Sequence, residues 1–331
     1  MNDSPVFIMS SERSGSNLLR VLLGSHSALA APRPLQLLMS FKTLIPGYGD
    51  LTVRNNAQHL FDDCVALANH PYNAWNLNLD FEYLYEHYTL HGLIDFFHLL
   101  YSEYAIRQNK RRFVCKENNL FDFAGQLADY YNDPKFIYLY RDPRDYTASW
   151  RGLPVGPKTH FLAAGRWLDE QRRCECFMAT TGLDVHCLKY EALITATEQQ
   201  MTDLLTFLGV SVEETCFSIP EGNNKDVAWN MYWKNLTKPI LKQNFNKYRE
   251  VLNETTINMI ETVTKDYMSK LHYACDTEAN WKRPKLFALR ERVASKMIDC
   301  RRRFIPTETS RRLASKKVLL QTIARGFKAQ R

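Results

Sequence analysis

Apolar residues fall into two alternating patterns between residue 6 and about residue 210. Val6-Phe7-Ile8-Met9 is an unbroken apolar run of strand length. A polar turn over 10–15 separates it from Leu18, Leu19, Leu22 and Leu23, whose spacing predicts a helix over 16–25 ending near His26. Ala31-Pro32-Arg33-Pro34 cannot be helical throughout. A helical stretch is expected over 35–44, and 46–110 reads as mostly helical. Within it, 81–107 is a long apolar and aromatic segment that places His87, His91 and His98 on one helix face. Strands are then expected over 112–116, 135–140 and 185–189, and helices over 120–131, 143–151, 160–180 and 198–208. The turn over 152–157 is rich in Gly and Pro, and no internal repeat is visible. This alternation predicts an α/β fold: a central, mainly parallel sheet flanked by helices on both faces.

Composition changes that picture little. The 331 residues can bury a large core, and 45% hydrophobic with 24% charged residues is the balance of a globular protein. Asn2-Asp3 leads straight into the first strand without a basic n-region, so no signal peptide is expected. No run of about eighteen apolar residues is present to span a bilayer. The eight cysteines are scattered without a CxxC, which argues against structural zinc and fits a reducing cytoplasm.

Charge adds an asymmetry. From Lys282 to Arg331 there are 16 Lys/Arg and 3 Asp/Glu, a net of +13. The whole chain carries +7, which leaves −6 for the rest. Leu286, Leu289, Val293 and Met297 recur at helical spacing within 284–303, and 313–327 repeats the style. A boundary is therefore expected near 280, with a basic amphipathic helical tail over 281–331. Such a tail can lie on an anionic membrane surface, so a peripheral membrane location is one expectation, or it can cover the protein's own acidic body. Nucleic acid is not the expected partner.

The chemistry concentrates at strand ends, where open parallel sheets hold ligands. A turn entering a helix offers unpaired N–H groups and the positive end of the helix dipole to an anion. In the first turn Arg13 adds a fixed charge, Ser14 and Ser16 add hydroxyls, and Gly15 permits close backbone approach. The pattern is not a Walker A loop. At the end of 135–140, Arg141 and Ser149 lie about two helical turns apart and could hold a second anionic group. Asp142 and Asp145 could instead absorb these arginines in an ion-pair cluster.

The two segments SSERSGSNLLRVLLGSH and KFIYLYRDPRDYTASW together resemble the sulfotransferases that use 3′-phosphoadenylyl sulfate (PAPS). The resemblance extends through VCKEN at 114–118, LKYEAL at 188–193, FLG at 207–209 and the segment 233–248, covering about residues 5–275. It implies the P-loop-NTPase-like sulfotransferase fold for 1–280, with 35–110 as an acceptor-side insert. It implies PAPS as donor substrate, no metal, and a hydroxyl-bearing acceptor that is a small molecule, carbohydrate or lipid. The implied donor site comprises Arg13, Ser14, Gly15, Ser16, Asn17 and Leu18 on the 5′-phosphosulfate, Arg141 and Ser149 on the 3′-phosphate, and Tyr190 near the adenine. Lys116 falls near the transferring sulfuryl group.

Departures concern the base. Where cytosolic members carry a His two residues after the strand lysine, this chain has Asn118. Where some carbohydrate and protein sulfotransferases carry a Glu after the first helix, it reads AAPRPLQ. The candidates to take the acceptor proton are Glu117, His26, His91 and His98. Asn223-Asn224-Lys225 and Trp233-Lys234 are candidate lid residues. The competing readings are a kinase, for which Walker and magnesium patterns are missing, and a non-catalytic nucleotide-binding module at a membrane surface.

Overall fold

A computed structural model describes residues 4–151, 153, 155–220, 229–303 and 307–329; Asn223, Asn224 and Lys225 lie outside them. Five strands, β1 (Val6–Ser10), β2 (Leu29–Ala30), β3 (Arg112–Cys115), β4 (Lys135–Tyr140) and β5 (Val185–Lys189), form one sheet in the order β2-β3-β1-β4-β5. Every pairing is parallel, with Met9 opposite Tyr138 and Tyr138 opposite Cys187. The chain is α/β, with helices on both faces of the sheet.

Alternation along the strands builds two cores. Phe7 and Met9 face one side with Cys115, Phe136 and Tyr138. The helices of the insert pack there: α2 (Leu37–Phe41), α3 (Arg54–Asn69), α4 (Phe81–His87) and α5 (Leu93–Arg107), together with α6 (Ala124–Tyr130). Val6 and Ile8 face the other side with Val114, Ile137, Leu139 and Leu188, against α1 (Ser16–Gly24) and, later in the chain, α10 (Thr197–Leu208). Full burial of a side chain such as Phe7 or Ile8 contributes about 2 kcal/mol by transfer alone. Because β1 lies between β3 and β4, the crossovers diverge around its carboxyl end, which opens a crevice there.

Three local features depart from the periodicity. The strand β2 is only two residues long, too short to register as an apolar run. The segment 81–107 is two helices. Asp80 caps α4 by accepting from the Glu82 N–H at 3.0 Å, and the Asp95 carboxylate accepts from the Gly92 N–H at 2.8 Å to start α5. The break separates the three histidines: His87 stacks on Tyr83 with ring centroids 4.1 Å apart, while His98 lies among Tyr88, Tyr130 and Tyr131.

After β4 come α7 (Pro143–Ala148), α8 (His160–Thr180), α9 (Tyr190–Thr195), α11 (Tyr248–Val251) and α12 (Glu254–Lys270). The basic tail forms α13 (Phe287–Arg303) and α14 (Glu308–Ala329). The helix α14 docks on the insert: Ile323 enters the first core, and Phe327 meets Tyr48 edge-on at 4.7 Å. Lys316 is buried and donates to Leu35 O (3.0 Å), Gln36 Oε1 (3.3 Å) and Asn73 Oδ1 (3.4 Å). Among the described residues no helix is long and apolar enough to cross a membrane.

Candidate functional site

The loop between β1 and α1 owes its shape to two left-handed residues, Arg13 (φ 66°) and Gly15 (φ 89°). Only glycine fits at 15, since a Cβ there would lie 2.3 Å from Tyr190 Cδ2. The loop ends at the N-terminus of α1, whose first-turn N–H groups have no side-chain cap. The Arg13 guanidinium turns inward, donates to Tyr232 O at 3.3 Å and lies 5.9 Å from the Tyr232 ring. Burial, then the nearby charge of Arg141, pulls its pKa below the ordinary arginine value.

Arg141 leaves the end of β4 pointing at this loop. One of its NH2 groups donates to Arg13 O at 3.0 Å, and the other to Asn244 O at 3.0 Å. Its guanidinium stacks 4.5 Å from the Tyr190 ring, and Tyr190 Oη accepts from Asn244 Nδ2 at 2.7 Å. The acids of this corner are engaged elsewhere. Asp142 pairs with Arg144 at 2.7 Å, and Arg144 also reaches Glu261 at 2.6 Å. Asp145 accepts from the N–H groups of Asn246 (2.7 Å) and Tyr248 (3.0 Å). Among the described residues no carboxylate forms a salt bridge with Arg141.

Thus two corners 128 residues apart in sequence are hydrogen-bonded to each other. Arg13, Gly15, Ser16, Asn17, Leu18, Arg141 and Tyr190 line one cavity with Tyr232 and Asn244 from the segment 229–248. Its volume is about 110 Å³, smaller than a nucleotide. A wider open cleft of about 930 Å³ adjoins it through Ile219 and Ile240. The Nε atoms of Arg13 and Arg141 and the Ser14 hydroxyl are buried without a hydrogen-bond partner among the described residues. Unmet buried donors are costly, and two of these three belong to arginines that line the cavity.

A model of the sulfotransferase family matches residues 5–214. The chain belongs to the sulfotransferase family. Its fold is similar to the sulfotransferase domain of the Synechococcus PCC 7002 olefin synthase, with a TM-score of 0.54 and 22% identity over 79% of this chain and 94% of that one. It is also similar to the sulfotransferase domain from the curacin biosynthetic pathway, with a TM-score of 0.52 and 20% identity over 82% and 98% of the two chains. No curated protein sequence matches significantly.

Among the residues singled out from sequence, Ser14, His26, His91, His98, Lys116, Glu117 and Ser149 do not line the sulfotransferase's cavity. Lys116 is buried just beyond the end of β3, its Nζ donating to Asn118 Oδ1 at 2.5 Å, and burial lowers its pKa to about 8 against the opposing charge of Glu12. Ser149, the C-cap of α7, donates to Tyr146 O at 2.6 Å and is not in the cavity wall with Arg141; a hydroxyl at a helix end finds an open carbonyl close by. His26 is likewise a cap. It sits past the far end of α1, its Nδ1 accepting from the Ala28 N–H at 2.9 Å and its Nε2 meeting Ser211 O at 2.9 Å. Glu117 is sealed beneath the turn that opens α2, its Oε1 accepting from the Leu37 N–H and the Tyr101 hydroxyl, both at 3.1 Å. Burial raises its pKa, and its second carboxylate oxygen has no hydrogen-bond partner among the described residues.

Several residues at this corner were not singled out from the sequence. Glu12, inside the first loop, accepts from Arg166 at 2.6 Å, and its charge acts on both Arg13 and Lys116. An acid beside Arg13 was visible in the sequence. Arg166 and Tyr232 carry no local signal, since only tertiary folding brings them to the loop, whereas Asn244 lies in the segment 233–248 that the resemblance covers.

Proposed function

We propose that this sulfotransferase transfers a sulfuryl group from PAPS to an acceptor hydroxyl. PAPS would supply the sulfuryl group and leave as adenosine 3′,5′-bisphosphate. The observation that carries this reading is the Arg141–Arg13 hydrogen bond, which joins two cationic poles across one crevice. Arg13 and the N–H groups of 14–17 would hold the 5′-phosphate and offset charge developing on the leaving oxygen. Arg141 would hold the 3′-phosphate, with Tyr190 against the adenine and the open cleft receiving the rest of the nucleoside. Lys116, although outside the cavity wall, would neutralise the sulfuryl oxygens, a role that rests on the resemblance of VCKEN to the family's lysine strand and on its interaction with Glu12 of the first loop. In the transfer the bond from sulfur to the phosphate oxygen breaks, a bond from sulfur to the acceptor oxygen forms, and the acceptor proton passes to a base. Glu12 is the carboxylate whose charge acts on both Arg13 and Lys116, and it takes that role here. Tyr72 of the insert forms an aromatic cluster with Trp229 and Trp233, which supports an acceptor side of mixed apolar and polar character. The unpaired cysteines fit a reducing cytoplasm.

Arg141→Ala tests the assignment. Relative to the wild type, it is expected to lower affinity for PAPS by roughly 30–100-fold, the worth of a lost charge-assisted bond. Affinity for adenylyl sulfate, which lacks the 3′-phosphate, should change much less. Equal losses for the two nucleotides would remove the 3′-phosphate from Arg141.

A pH profile tests Lys116 separately. The ammonium is charged below its pKa of about 8 and neutral above it, so kcat/KM, which reports the free enzyme, should fall as pH rises through about 8. Lys116→Arg should be slower but should lack that limb, because arginine stays charged. An unchanged limb in the variant would assign the titration to another group.

A further inference from the structure

We propose that α13 is a docking helix for an anionic membrane surface. Leu286, Leu289, Val293 and Met297 are all exposed, at 63%, 58%, 50% and 68%. At 3.6 residues per turn they fall within an arc of about 80°. Arg292 and Lys296 run along one border of this stripe and Arg290 along the other, with Lys282, Arg283 and Lys285 just before it. The opposite face of the helix already has its partners. Phe287 packs on Phe161 at 4.8 Å and on Trp281 at 5.1 Å, and Glu291 accepts from the Thr159 hydroxyl. The outward stripe is therefore not an unfinished half of the core.

The two tail helices divide the alternatives left open by sequence. The helix α14 buries Ile323 and Lys316 against the insert and so covers the protein's own body. The stripe of α13 covers nothing among the described residues. Its occupant is indicated by the charge around it. A single row of apolar side chains edged by arginine and lysine matches the boundary between acyl chains and acidic headgroups. Nucleic acid would place phosphates where this helix has Leu289 and Val293. Four exposed apolar side chains are few, so binding should need both apolar contact and charge, and should weaken with salt. The inference does not depend on the identity of the sulfuryl donor.

The test is co-sedimentation of the full-length protein with vesicles of phosphatidylcholine alone and with a quarter of phosphatidylglycerol. The wild type should pellet with the anionic vesicles at low salt and stay in solution with the neutral ones. The double substitution Leu289→Glu with Val293→Glu should lower the apparent affinity at least tenfold, leaving thermal stability and nucleotide binding unchanged. Replacing Arg290, Arg292 and Lys296 with glutamine should weaken binding and flatten its salt dependence. Equal pelleting of wild type and double variant would overturn the proposal. So would a wild type that never pellets, including one whose self-association or nucleic-acid binding is what the double variant loses.

Discussion

Gly15→Ala is expected to abolish productive donor binding, lowering kcat/KM for PAPS by at least about 100-fold, the scale of an ångström-sized displacement in a catalytic site. The new Cβ would be forced against Tyr190, and the residue would carry a left-handed φ of 89°. Tyr190 cannot yield independently, because Asn244 holds its hydroxyl and Arg141 stacks on its ring. Relief of the clash therefore moves Arg141 or the loop, and separates the two poles of the site. Gly182→Ala is the control. That residue is also left-handed, at 65°, but has open space around its Cβ position. It should lose stability through backbone strain alone and keep its kinetics. Steady-state kinetics with thermal melts on both variants decides the matter; an active Gly15→Ala protein would show that the close approach of loop and ring is dispensable.

Glu12→Gln should lower kcat by 10²- to 10⁴-fold, the range for loss of a positioned base. Nucleotide affinity should stay within a few-fold, because the amide keeps the size of the carboxylate and can still accept from Arg166. Glu117→Gln should behave oppositely. With its Oε1 fixed to Leu37 and Tyr101, it should affect stability more than turnover. Calorimetric binding of adenosine 3′,5′-bisphosphate alongside single-turnover transfer separates the two effects. A Glu12→Gln enzyme with full turnover would remove Glu12 as the base.

The readable parts of this molecule are those specified over a few residues. The apolar strands β1 and β4 and the loop through Gly15 each carry their own pattern, so the α/β sheet and its two chemically distinctive corners were legible. The rest depends on partners far along the chain. Glu117 beside Lys116 looked like a base until the insert supplied Tyr101 and the Leu37 N–H to one of its oxygens. His26 became a cap through Ser211, which is 185 residues away. Lys316, one of sixteen tail cations, is drawn into the insert by three oxygen acceptors from two separate loops, and burial lowers its pKa to about 8. The break between α4 and α5 did have a local signal, Gly92 followed by Asp95 at the third helical position, but the aromatic run around it dominated the periodicity.

That the two corners form one receptor for a doubly phosphorylated nucleotide is tested most directly by equilibrium binding to the unmodified protein. Adenosine 3′,5′-bisphosphate and adenosine 5′-monophosphate share every group except the 3′-phosphate. The bisphosphate should bind roughly 30–100-fold more tightly, from the charge-assisted bonds that Arg141 offers it. Equal affinities would contradict a shared site, whatever each corner binds alone.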